Sequence, residues 1–545
     1  MANHCSRGWE CKENDVDCNA DFETSGNLAV FTVSKQYSQR LNRTMIMKRI
    51  TDAVLGLEKA AHLLQRAGFG GSPDEVRAWA AKSPDAAVAE LVGFGSGSDD
   101  DFGPPVFLET SAESDANFAK EFANLRNLRR EDQAAAEQAQ RRLNAQRRRV
   151  QYQGIGELRA WWLYRMRYSN APLQEKMTLF LHGHFASATQ KVRSPGMLYQ
   201  QNQLFRRLGN GNWEDLVNGV ASDPAMLLYL DNARSNRRKP NENFARELLE
   251  LFTLGEGNYT EEDILAAARA YTGYSIERET GEFVFRNFMH DPGRKTFMGE
   301  TGAFKGEDIV RIVLKHEQAP RFLTAKLWRF FVGSDASEAQ VDHLSRVLLD
   351  AKWELKPLLS EIFLSEDFYD EKVRRGLIKS PTQWFVQLLK SMEAPLPDPR
   401  ISNGILIQLG QELFNPPNVK GWDGGAAWIN SSTLLNRYNF AGALVRGKLP
   451  QNLGRSPTNR RSYNNRPNLR SVVDPERVLP PADRKDRASV QRALFARLYQ
   501  SQLRATDRAK FMEYLDTQKD PADWNERDLQ EAVHLLLSSP QYQLA

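Results

Sequence analysis

Apolar residues recur along most of this chain at intervals of three and four, the period of a helix buried on one face. Over 46–68 the spacing predicts a helix ending near Gly68 and Gly70, residues suited to a helix C-terminus. Two further helices are predicted where Ser72-Pro73-Asp74-Glu75 and Ser83-Pro84-Asp85 place a hydroxyl cap, a proline in the first turn and acids at the positive end. Residues 95–114 are rich in Gly, Ser, Asp and Pro and read as a loop. From 115 to 150 the chain turns to Ala, Gln, Arg and Glu, which favours helix by propensity. Its apolar anchors are few, so that segment reads as a protruding or loosely docked helix.

Asp223-Pro224 opens another helix, and so does Thr260, with Asp263 three residues on and a stop at Gly273. Strand signals are scarce, and "GEFVFRNF" at 281–288 fits one arm of a short hairpin. Helical periodicity returns over 346–445 and 486–545, and a serine at 431 or 432 is the expected cap of a helix there. Residues 446–485 lack any period and are rich in Asn, Pro and Arg, the pattern of a flexible loop. "LLSEIFLSEDFYD" (358–370) and "AVHLLLSSPQYQL" (532–544) echo each other, with a weaker copy at 216–230. The irregular spacing of these echoes suggests one helix–turn–helix joint used repeatedly, not a solenoid.

The pattern as a whole predicts an all-α protein, a large irregular assembly of helices with long loops and at most a small β-hairpin. Its expected parts are an extension over 1–44, N-terminal helices and a loop over 45–114, the basic segment 115–150, and a central core over 151–345 that holds the polar motifs. A helical region with a Trp/Gly/Pro loop (346–445), the loop 446–485 and C-terminal helices (486–545) complete it.

Composition changes this picture in a few places. At 545 residues the chain is too long for one ordinary core, so several domains or one large unit with insertions are expected. A net charge of +4 is too small for a chain built as a whole to hold nucleic acid, so no nucleic-acid partner is expected. Arg129, Arg130, Arg141, Arg142, Arg147, Arg148 and Arg149 nevertheless make 115–150 basic, either a solvated face or an arm for an acidic partner or phosphates. Cys5, Cys11 and Cys18 are the only cysteines, spaced poorly for zinc, and leave the body without disulfides. No apolar run is long enough for a membrane span. No charged start with an apolar core is visible, so the cytoplasm is the default expectation and export with a partner the other.

Four segments hold candidate chemistry. In "LFLHGHFA" (179–186) two of the eight histidines, His182 and His184, sit one residue apart, and Glu175 and Thr178 share a helical face with His182. Neutral imidazoles with carboxylates can hold Zn, Mn or Fe, so Glu175, His182, His184, Glu247 and Glu250 form a candidate metal set. Helical spacing puts the two rings about 200° apart, which weakens that reading, and Gly183 is expected to loosen the helix. The alternative is one histidine bonded to backbone and the other half exposed. In 239–263, Asn243, Arg246, Glu247 and Glu250 fall on one stripe, which a salt-bridged surface explains as well as a buried site does. Asn241 and Asn243 stand at a helix start, where free N–H groups can hold an anion. His290, Asp291 and Lys295 lie in a glycine-rich segment (288–306) compatible with acid–base work or with a turn. Trp422 and Trp428 stand on a Gly/Pro loop and either wall a ligand pocket or plug a helix junction. No phosphate-cradling loop, dinucleotide fingerprint or Gly-x-Ser-x-Gly elbow is present.

Five motifs in order, "HLLQRAGFG", "NENFARELLELFTLGEGNYTEEDI", "HDPGRKTFMGETG", "LTAKLWRFFV" and "NPPNVKGWDGGAAWIN", resemble the bacterial family catalogued as domain of unknown function 1800, from about residue 58 to the C-terminus. That family is uncharacterised. The resemblance implies a companion similar to the exported alkaline phosphatase and sulfatase superfamily, often encoded alongside, and thus a shared exported or surface role. Two expectations follow. One is a helical enzyme whose expected chemistry is hydrolysis by a metal-activated water, with catalytic candidates His182, His184, Glu247, His290, Asp291 and Lys295 and ligand-binding candidates Asn241, Asn243, Arg246, Trp422 and Trp428. The other is a non-enzymatic partner or scaffold for that companion, docking through 115–150 and 446–485.

Overall fold

Helix starts follow the cap signals in the computed structural model of the chain, which describes residues 47–94, 102–277, 280–448, 473–501 and 503–545. Ser72 accepts the Glu75 amide at 3.2 Å while the Glu75 carboxylate accepts the Ser72 amide at 2.6 Å. Ser83, Asp223 and Thr260 cap the helices expected of them. After the Trp/Gly/Pro loop the cap is Asn430, just ahead of the serines expected in that role.

Twenty-two helices result among the described residues. The first three are α1 (Gly56–Arg66), α2 (Pro73–Ala80) and α3 (Pro84–Val92). A long pair, α4 (Phe107–Glu131) and α5 (Gln133–Tyr168), turns at Asp132 and packs together through Phe118, Leu125 and Leu143. Then come α6 (Pro172–His184), α7 (Pro195–Leu208), α8 (Trp213–Ala221), α9 (Pro224–Tyr229), α10 (Glu242–Glu247) and α11 (Glu261–Ala270). Strand β1 (Tyr274–Ile276) pairs antiparallel with β2 (Phe283–Phe285), and β3 (Lys295–Phe297) with β4 (Glu300–Gly302). Helices α12 (Gly306–Leu314), α13 (Gln318–Val332), α14 (Glu338–Asp350) and α15 (Leu355–Leu364) follow. The last seven are α16 (Pro381–Ser391), α17 (Pro399–Gln408), α18 (Ser431–Arg446), α19 (Pro475–Val478), α20 (Arg487–Leu498), α21 (Ala505–Asp516) and α22 (Glu526–Ser538). The protein is thus mainly all-α, with two small antiparallel sheets.

Several boundaries differ from the sequence expectation. The first helix starts at Gly56, not 46, because the residues before it pair with another segment: the Ile50 amide donates to Leu364 O at 2.9 Å. The loop expected over 95–114 ends by Phe107, a buried residue that opens α4. The second hairpin lies within the segment read as a glycine loop, its turn formed at Met298 and Gly299, both with positive φ. Of the expected loop 446–485, residues 473–485 instead form α19 and a short turn that bury Val473, Val478 and Leu479. Three anchors are too few to make a visible period. Residues 449–472, like the extension over 1–44 with its three cysteines, lie outside the described residues.

The repeated joint is a real element. Ser365 accepts the Phe368 amide at 3.2 Å, Ser539 the Tyr542 amide at 3.3 Å, and Asp223 the Met226 amide at 2.8 Å. In each case a helix stops, a side-chain oxygen caps the next turn, and that turn buries Phe368, Tyr542 or Met226.

Residues 47–545 form one compact unit containing two large apolar cores. Helix α6 feeds both: Leu173, Met177, Phe180 and Leu181 enter one core and Leu179 the other. It is therefore buried all round, including its Glu175. Arg165 of α5 donates Nε to Glu175 Oε1 at 2.9 Å. Arg206 of α7 donates Nε to Oε1 at 2.7 Å and Nη2 to Oε2 at 2.8 Å. Trp162 Nε1 donates to Oε2 at 2.9 Å. Four donors fill the carboxylate's acceptor positions and tie three helices together. Burial alone would raise the Glu175 pKa, but Arg206 and then Arg165 hold it below the usual carboxylate range. Glu175→Ala removes the acid buried against Arg206 and Arg165, so we expect a loss of about 3–5 kcal/mol in urea unfolding, against under about 1 kcal/mol if the cluster were surface-like.

Candidate functional site

Helix α6 runs unbroken through Gly183 to His184, so its two histidines leave on opposite sides, as helical spacing requires. His182, 1% exposed, accepts the Phe414 amide at Nε2, 3.0 Å away. Its ring is packed by Trp162, Phe414 and Trp422, with centroids 5.3, 5.1 and 5.6 Å away. Burial, assisted by the charge of Arg159, pushes its pKa down to about 3, so the imidazole is neutral.

His184 points at the other wall. Its Nε2–H donates to Phe252 O at 3.1 Å, and Nδ1 accepts from Lys326 Nζ at 3.3 Å, a consistent neutral tautomer. Lys326 also donates to Leu251 O at 2.8 Å. Leu251 and Phe252 belong to a π-helical turn, Leu248–Thr253, that continues α10. Carbonyls at a helix end lack intrahelical donors, and His184 and Lys326 supply them. Burial, with Arg329 nearby, lowers the Lys326 pKa to about 8, and burial drives His184 well below its usual value.

The Trp/Gly/Pro loop is pressed against the same helix. A Cβ on Gly421 would overlap the Gly183 carbonyl oxygen, and Gly421 has φ +81°, so glycine is needed on both counts. Trp422 is half-buried against His182, whereas Trp428 is buried and its carbonyl accepts from Thr433.

His290, Asp291 and Lys295 form a separate cluster at the end of α11. His290 Nδ1–H donates to Thr272 O at 2.9 Å. Asp291 accepts from Arg269 Nε at 2.7 Å and from the Gly293 amide at 2.8 Å. Lys295 Nζ donates to the carbonyls of Asp291 (2.7 Å) and Gly293 (2.9 Å). Arg269 holds the Asp291 pKa low, and burial lowers those of His290 and Lys295. No hydrogen bond among the described residues joins this cluster to His182 or His184.

The 241–250 stripe is mostly surface. Asn241 caps α10 by accepting the Asn243 amide at 3.0 Å, and Asn243 itself is exposed. Arg246 makes a bidentate pair with Glu261, 2.9 Å for each bond. Glu250 accepts from Tyr259 Oη at 3.2 Å. Glu247 differs: it is half-buried, accepts no hydrogen bond from the described residues, and faces Glu250, Lys420 and Tyr229. Burial and then Glu250 raise its pKa, against Lys420 and Arg246.

These residues do not fit a metal shell. Glu175 is saturated, the two imidazoles diverge, and both nitrogens of His184 are engaged; no three His, Cys, Asp or Glu side chains group for a metal among the described residues. Sequence reasoning missed Arg165, Arg206, Phe414 and Lys326. A lone lysine inside the apolar "LTAKLWRFFV" was the one signal that pointed to such a partner.

The architecture is thus a helical body built round a buried polar helix. Residues 62–544 match the family described as protein of unknown function DUF1800, and the chain belongs to that family. No curated protein and no solved structure matches it. No helix among the described residues is long and apolar enough to cross a membrane.

The histidines give a pH signature. Neutral when folded and free to protonate near pH 6.5 when unfolded, His182 makes unfolding take up a proton between about pH 6.5 and 3. Stability therefore falls as pH falls through that window. Between pH 6 and 5, wild-type protein should lose about 1 kcal/mol more in urea unfolding than His182→Gln, which keeps an acceptor for the Phe414 amide. Parallel pH profiles would count against a buried neutral imidazole.

Proposed function

We propose that this chain is a non-enzymatic adaptor that binds an acidic protein surface through the α4–α5 pair. The observation that carries the reading is that five of the six candidate catalytic side chains, His182, His184, His290, Asp291 and Lys295, have hydrogen-bond partners within the chain itself. The charge of the helical pair is engaged far less. Between 120 and 153 there are nine Lys and Arg against four Asp and Glu. Arg141 pairs with Glu137 at 3.5 Å, while Arg130, Arg142, Arg147, Arg148 and Arg149 are exposed and form no ion pair with the described residues. Such a surplus steers an acidic partner and is sensitive to salt. The exported phosphatase- or sulfatase-like companion is the first partner to test. Binding measured with purified companion should weaken at least tenfold on Arg147→Glu/Arg148→Glu/Arg149→Glu, with an unchanged melting temperature. Equal binding by both proteins, or none by either, would sink the reading.

Glu247 favours a second reading, a hydrolytic acid–base site where α10 faces Lys420 of the 414–430 loop. A half-buried carboxyl with a raised pKa beside a second carboxylate is the pattern of a general acid. Turnover of p-nitrophenyl esters, phosphates or glycosides by wild-type protein, abolished by Glu247→Gln, would establish it; no turnover of any of them would dismiss it.

A further inference from the structure

One surface turn carries a surplus of cations. Over 234–239 the chain reads "RSNRRK", four cations and no acid. Asn236 folds the segment: its Oδ1 accepts the Arg238 amide at 3.1 Å and the Lys239 amide at 3.3 Å, and its carbonyl accepts the Lys239 amide at 2.9 Å. Arg237 and Arg238 therefore stand at the tip. The base of the turn is fixed to the body. Buried Ser235 accepts the Gly273 amide at its carbonyl (3.2 Å) and the Asn241 amide at Oγ (3.0 Å), and the Arg237 amide donates to Met289 O at 2.7 Å.

Arg234, Arg237, Arg238 and Lys239 are exposed and form no ion pair with the described residues. Acids on the neighbouring segments are engaged elsewhere: Asp231 with Lys191 at 2.6 Å, Glu242 with Arg246 at 3.4 Å and Asp291 with Arg269 at 2.7 Å. Through Met289 the turn is bonded to the short helix Asn287–Met289, in which Phe288 is 70% exposed. A single exposed ring means little by itself. Next to four unpaired cations it changes the kind of partner that fits. Charge alone would suit any acidic surface. An anionic bilayer offers in addition an apolar layer directly beneath its acidic headgroups, into which an exposed ring can sink. Cations carried on an exposed turn, not in a groove, also suit a broad surface better than an enclosed ligand.

We propose that Arg234, Arg237, Arg238 and Lys239, with Phe288 beside them, dock this protein peripherally on an anionic phospholipid surface, the cations among the headgroups and the ring in the interface below. Each basic side chain near such a surface adds to the attraction, which salt screens. The ring contributes a part that salt leaves in place. Docking of this kind needs no spanning helix. It is independent of the adaptor reading, since none of these residues lies on the α4–α5 pair.

The test is sedimentation of the full chain with mixed phosphatidylglycerol–phosphatidylcholine vesicles and with phosphatidylcholine vesicles alone. Wild-type protein should sediment with the mixed vesicles and not with the neutral ones. Arg237→Glu/Arg238→Glu should weaken the partition by about tenfold or more at low salt, with an unchanged melting temperature. Phe288→Ser should weaken it by about threefold or more. Arg147→Glu/Arg148→Glu/Arg149→Glu should bind the vesicles as wild type does, which separates this face from the adaptor surface. No sedimentation with the mixed vesicles, equal sedimentation with the neutral ones, or wild-type binding by either Arg237→Glu/Arg238→Glu or Phe288→Ser would overturn the proposal. Loss of binding in the Arg147–Arg149 variant alone would move the contact to the α4–α5 pair and overturn it as well. So would binding of a single-stranded oligonucleotide in place of the vesicles, which would assign the face to nucleic acid.

Discussion

Burying a helix that carries a glutamate, a lysine and two histidines is the constraint on which this structure depends. Apolar packing alone cannot accommodate α6, because an unpaired charge in the interior costs several kcal/mol and an unbonded polar group about 1–3 kcal/mol. Each of its polar side chains therefore dictates a neighbour. Glu175 requires α5 and α7. Lys176 donates to Gln383 of α16 at 2.6 Å and lies against the rings of Phe69 and Phe330, with burial taking its pKa to about 7. His182 requires the backbone amide of Phe414, and His184 requires the last carbonyl-bearing turn of the π segment. Helix α6 is thus bonded on every side, and the two apolar cores meet along it.

That arrangement gives side chains that look catalytic in sequence hydrogen-bond partners within the fold. A histidine needs one acceptor and one donor when neutral, and a helix end or a tight loop offers either. Phe414, immediately before the "NPPNVKGW" loop and in a left-handed conformation (φ +60°), presents its amide to His182. The "FARELLELFT" helix widens into a π turn, and its released carbonyls fall to His184 and Lys326. Such widened turns often mark functional sites; here the distortion brings backbone oxygens to a buried donor pair.

How much was legible follows from range. Caps were readable because a cap and its amide lie within three residues: Ser72, Ser83, Asp223 and Thr260 all act as their spacing implied. The joint after Ser365 and Ser539 was readable for the same reason. The divergence of His182 and His184 followed from helical geometry alone. Partners more distant in sequence were not readable. Phe414 follows His182 by more than two hundred residues and offers a backbone amide, which every non-proline residue has. Arg165 sat in an aromatic run and Arg206 in a polar one, neither with a sign that it meets Glu175, and the helix simply runs through Gly183, the glycine required there being Gly421, whose Cβ would overlap the Gly183 carbonyl. The hairpin at 295–302 was hidden because three-residue strands carry no alternation to detect.

The interior and the surface consequently use charge in opposite ways. Inside, Glu175, His184, Asp291 and Lys295 have hydrogen-bond partners within the chain, and His182 accepts the Phe414 amide at Nε2. On the α4–α5 pair the core is thin, resting on Phe118, Leu125 and Leu143, and among Arg130, Arg142, Arg147, Arg148 and Arg149 no ion pair forms with the described residues. Like charges spaced along one helix repel each other and cost the free protein a little at low salt. On the adaptor reading proposed above, an acidic surface brought against the pair would remove this small penalty.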